Sequence, residues 1–124
     1  LSNPWILIIK KLLTLYKEMS YNSVVEVTDP TFDMSSFGND YFTLYLFDAT
    51  SNNIVVNLPT SYYDGLTYEF IRTEGTLGRT VTLNASGSGI TINGNSSALL
   101  RGLSKMQLVF LNNNWIATST GFVY

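Results

Sequence analysis

The sequence predicts an all-β fold: short antiparallel strands in a sandwich or β-prism-like module, preceded by one N-terminal helix. Three observations predict it. Beyond Phe42, apolar residues recur at every second position in one short run after another. Turn-forming pairs separate those runs, and all nine glycines lie at position 38 or later. Only Trp5 to Met19 has helical rather than alternating spacing.

In the first segment, residues 1–20, Ser2 or Asn3 caps a helix that has Pro4 in its first turn. Trp5, Ile8, Leu12, Leu15 and Met19 recur at steps of three and four, the seam spacing of a coiled coil, over barely two heptads. A second row, Ile6, Ile9, Leu13 and Tyr16, makes the segment apolar on more than one face. Such a helix either packs on its own β domain or serves as a stalk or docking helix; a strand through Trp5 to Ile9 is the third reading. Lys10, Lys11 and Lys17 interrupt any membrane span, and as charges following the apolar stretch they do not fit a signal peptide. The chain begins at Leu1, which suggests a fragment or a processed product.

Residues 21–40 read as a linker rich in Ser, Asn, Asp and Thr, with one strand around Val24 to Thr28. Residues 41–124 form the β-module. Its apolar face is predicted from Phe42, Leu44 and Leu46; Ile54, Val56 and Leu58; Leu66, Tyr68 and Phe70; Val81 and Leu83; Ile90 and Ile92; and Met106, Leu108 and Phe110. Thr43, Asn57, Thr67, Glu69, Thr80, Thr82, Thr91 and Gln107 lie on the other face. Turns are expected at Ser51-Asn52, Asp64-Gly65, Glu74-Gly75, Ser86-Gly87, Asn93-Gly94 and Asn112-Asn113.

Composition narrows the function. At 124 residues the chain holds one modest core and leaves much apolar surface exposed unless a partner covers it. Charged residues make up 13%, about half the usual share, which weakens electrostatic protection against association. A net charge of -2 argues against nucleic acid, whose phosphates need clustered Lys and Arg. With no Cys and no His, thiolate nucleophiles, imidazole bases and the common zinc ligands are missing, and no cofactor is expected. Asp29, Asp33 and Asp40 are too sparse for a calcium loop, and the glycine pairs lack the lysine of a phosphate loop.

In order along the chain come Asp48-Ala49-Thr50, Leu58-Pro59, the strand Gly65 to Arg72 with its Tyr-x-Phe-x-Arg pattern, and Thr80-Val81-Thr82. Ile92-Asn93-Gly94, Val109 to Leu111 and Asn113-Asn114-Trp115 complete the series. This series resembles a β-module of bacteriophage tail fibres and of fibre or spike proteins on large viruses. The resemblance covers about two thirds of the chain and finds no counterpart for residues 1–40. It implies a structural protein at the virion surface, a parallel homotrimer supporting host attachment. Other virion proteins would be reached through the N-terminal segment, and a host glycan or receptor is a further partner. Bare strand edges, closed by neighbouring copies, suit that implication.

Two candidate sites follow. Tyr62, Tyr63 and Asp64, with Tyr68 and Trp115 nearby in sequence or motif, are the residue types of a glycan platform, since sugars stack on rings and carboxylates bind hydroxyls. A stand-alone glycan-binding sandwich is accordingly the alternative function. Arg72 is expected to pair with Glu74, Asp48 or a neighbouring chain, as a structural ion pair or trimer contact. Glu69 with Glu74, or Asp64 with Glu69, is the nearest approach to an acid and base pair, and no enzyme is expected. Asn84-Ala85-Ser86 and Asn95-Ser96-Ser97 are formal glycosylation sequons.

Overall fold

The computed structural model describes residues 6–10, 23–34, 43–59 and 63–121. Ten strands occur among them: β1 (Ser23–Val27), β2 (Thr31–Asp33), β3 (Thr43–Phe47), β4 (Ile54–Asn57), β5 (Thr67–Arg72), β6 (Val81–Asn84), β7 (Thr91–Ile92), β8 (Ser97–Leu99), β9 (Ser104–Leu111) and β10 (Asn114–Gly121). The chain is all-β, as the alternation predicts. It is a β-solenoid, however, and not a sandwich or prism.

The difference lies in strand direction. One sheet runs β1-β3-β5-β9-β10-β7 and the other β2-β4-β6-β8, so the first six strands alternate between sheets. Within each sheet they pair in parallel, β1 with β3 and β3 with β5, β2 with β4 and β4 with β6. Each coil of the stack therefore carries one strand in each sheet: β1 and β2, then β3 and β4, then β5 and β6. Twenty residues separate Ser23 from its partner Thr43, and twenty-seven separate Ile54 from Val81. A parallel neighbour needs a crossover, and here the crossover is the strand in the opposite sheet.

The stack ends in an antiparallel layer. β8 pairs with β6, and β9 with β5, both antiparallel. β9 and β10 form a hairpin through Asn112 and Asn113, whose positive φ angles of 52° and 61° suit a tight two-residue turn. At the opposite end β1 and β2 are both edge strands of the same coil. Within residues 21–40, expected as a linker with one strand, residues 23–34 carry two and form the first coil.

Strand alternation fills the space between the sheets. Tyr45 and Phe47 from β3, Tyr68 and Phe70 from β5, Met106, Leu108 and Phe110 from β9 and Trp115 from β10 meet Ile54, Val56, Val81 and Leu83 in one buried cluster. Register partners stack as rings: Tyr45 and Phe70 have centroids 5.5 Å apart, and Phe110 and Trp115 are 5.0 Å apart, both edge-on. The expected core face of β3 is corrected here. Leu44 and Leu46 point away from the main core and form a second cluster with Ile71 and Ile9. All five residues of β3 are buried because that outer face is covered.

Ile9 belongs to a helical stretch, residues 6–10, which excludes a strand through Trp5 to Ile9. Ile9 is buried, whereas Leu7 and Ile8 are exposed. The second apolar row, not the seam position Ile8, therefore supplies the contact with the chain's own sheet. Trp5, Leu12, Leu15 and Met19 lie outside the described residues. Among the described residues no helix is long and apolar enough to cross a membrane.

Candidate functional site: a buried ion pair and the corner around it

The strand β5 alternates so that Tyr68, Phe70 and Arg72 all point inward, which carries a guanidinium to the end of an aromatic row. Burying a cation alone is costly, so its surroundings must satisfy it. Glu74 does so: Arg72 Nε donates to Oε1 at 2.6 Å and Nη2 to Oε2 at 3.4 Å. The remaining donors reach backbone, Nη1 to Leu100 O at 3.3 Å and Nη2 to Arg79 O at 3.1 Å. Glu74 also accepts from Ala49 N at 3.0 Å and Thr76 N at 2.7 Å. The pair ties the second coil, the third coil and the antiparallel end layer together at one corner.

Burial by itself pushes the Glu74 carboxyl up. The hydrogen bonds from Arg72, from the backbone and hydroxyl of Thr76 and from Ala49 outweigh it and hold the group down at about 2. With both oxygens occupied by hydrogen-bond donors, this carboxylate is held in its charged form as one half of a buried ion pair. Close packing continues outward: a Cβ on Gly102 would lie 2.6 Å from Gly75 Cα and 2.9 Å from Glu74 O.

The other carboxylates singled out from sequence do not converge with it. Asp48 closes its own turn, accepting from Thr50 N at 3.0 Å and Thr50 Oγ1 at 2.6 Å. Glu69 pairs with Lys105 at 3.4 Å on the outer face of the sheet. Asp64 accepts from Asn112 N at 3.2 Å, which fixes the loop before β5 to the hairpin. Among the described residues no group of three or more acidic side chains gathers as a metal site would require.

The proposed aromatic platform is reduced. Tyr68 and Trp115 are core residues, at 1% and 0% exposure, and neither is open to a sugar. Tyr63 and Asp64 are exposed, and Tyr62 lies outside the described residues. Of the two sequons, Asn95 is exposed and Asn84 is half-buried on β6.

Two features of the same corner edge leave little mark in the sequence. Leu77, in the turn between β5 and β6, is 97% exposed. Beside the corners of the first two coils lies a cleft of about 100 Å³, lined by Val27, Leu46, Glu26, Asp48, Lys10 and Thr73. A leucine between two glycines, Gly75 and Gly78, was the available sign of the first. The second depends on parallel stacking, which no local pattern reveals.

Neither a scan against protein-family models nor a search of the curated proteins finds a match for the chain.

Proposed function

We propose that this chain is a structural virion protein: a subunit of a trimeric fibre, spike or fibre base on a phage or large virus. It serves host attachment at the virion surface, directly or as a spacer for a receptor-binding tip. The N-terminal segment anchors it to other virion proteins. The observation that carries this reading is the coil stack itself, whose first coil leaves both edge strands, β1 and β2, without a neighbour among the described residues. A stack of parallel coils is built for extension along an axis, and bare edges favour closure by further chains.

The ordered motifs that carry the resemblance fall on the strands and on the corners between them. Asp48-Ala49-Thr50 makes the corner after β3, Leu58-Pro59 the corner after β4, and Gly65 to Arg72 supplies β5. Thr80-Val81-Thr82 opens β6, Ile92-Asn93-Gly94 closes β7, and Asn113-Asn114-Trp115 leads into β10. Light scattering on the purified chain tests the proposal. A trimer that resists dilution supports it, and a single-copy species at high concentration removes its physical basis. A glycan array on the same sample separates attachment through sugars from a spacer role.

A further inference from the structure

Leu77 is held out by a turn with little freedom to fold back. Arg79 N donates to Thr76 O at 3.3 Å, and Gly78 between them takes a φ of +78°. The buried ion pair grips both ends of that turn, Glu74 through Thr76 N and Arg72 through Arg79 O. Arg79 follows Leu77 by two residues, and Arg101 follows Leu100, whose carbonyl Arg72 also holds; both arginines are exposed, and neither has an ion pair among the described residues.

The cleft on the same corner edge is its counterpart. Leu46, on the outer face of β3, gives it an apolar wall, inward-facing Val27 borders it from the main core, and Glu26 and Asp48 outnumber Lys10 at its rim. Its volume of about 100 Å³ lies between what one water needs and the roughly 150 Å³ that admits a benzene, the range of a branched aliphatic side chain. At 97% exposure Leu77 does not fill the cleft of its own chain.

We propose that copies of this chain associate by seating Leu77 of one copy in the cleft beside Leu46 of another, with Arg79 and Arg101 facing Glu26 and Asp48. The contact rests on the self-association that the fibre reading requires, and it names the surfaces. Knob and cleft are different patches, so each copy offers one to each neighbour, an arrangement that closes into a ring where the rotation between copies allows it and otherwise runs on as a filament.

Leu77→Asp tests it without touching the core, and circular dichroism checks that the fold is kept. Association is expected to weaken roughly 10- to 100-fold, the effect of exposing one buried leucine. Arg79→Glu is expected to weaken it too, and adding Glu26→Arg to that chain to restore it. Because the chain has no cysteine, Leu77→Cys mixed with Thr28→Cys gives a clean cross-linking readout. Oxidation is expected to join position 77 of one copy to position 28 of another. An oligomer unaffected by Leu77→Asp, or cross-links only between like positions, overturns the contact and leaves the fibre reading standing. A wild-type chain that stays single-copy overturns both.

Discussion

Arg72 Nε lies 2.6 Å from Glu74 Oε1 with the two side chains only 5% and 3% exposed, at the corner where two coils and the end layer meet. The position follows from strand alternation: an inward arginine two residues beyond Phe70 ends the aromatic row. A buried pair recovers its desolvation cost only when the remaining donors and acceptors are also met. Ala49, Thr76, Arg79 and Leu100 meet them, so the pair acts as a clamp between successive layers.

Glu74→Ala leaves the Arg72 guanidinium buried and uncompensated, and is expected to cost about 3–5 kcal/mol. Urea denaturation measures it. The double variant Arg72→Met with Glu74→Leu is expected to lose far less than the sum of the single changes, because no charge is stranded. Additive losses contradict the clamp.

The same pair sets an acid limit. The folded carboxyl titrates at about 2 against an ordinary 4.5, so the unfolded chain binds the proton first as pH falls. The stabilisation is fully present above pH 4.5 and is lost progressively toward pH 2, on the order of 3 kcal/mol in all. Unfolding free energies measured across that window are expected to fall for the wild type. In Glu74→Gln the part due to this group is expected to be absent.

Gly102→Ala places a Cβ against the Gly75 backbone and is expected to cost about 1–3 kcal/mol, as overpacking does. Gly75→Ala meets nothing within 4 Å and is expected to change stability little. Thermal melts of the two variants compare them directly. Equal effects contradict the close approach.

Ile9→Ala is expected to cost about 2–5 kcal/mol through its contact with Leu44, Leu46 and Ile71, whereas exposed Ile8→Ala stays within about 0.5 kcal/mol. Denaturant midpoints separate them. The reverse order places the wrong face of the helical stretch on the sheet.

Period-two alternation made most strand positions and core faces legible, from Ile54 and Val56 through Met106, Leu108 and Phe110. It does not encode direction: an inward Val81 pairs equally well with a parallel or an antiparallel neighbour, so the coil stack was hidden. Leu44 and Leu46 misled because β3 is apolar on both faces, and alternation alone does not say which face lies between the sheets. Trp115 and Tyr68 looked available for stacking since an aromatic residue reads alike in a core and on a surface. The Arg72 and Glu74 pair was legible from their spacing, while the backbone partners on Ala49 and Leu100 come from distant layers.

Native mass spectrometry of the full chain counts its copies and so tests the fibre proposal most directly. A dominant species at three times the 13.8 kDa chain mass that survives dilution is expected. A species at 13.8 kDa alone, persisting at high concentration, contradicts it.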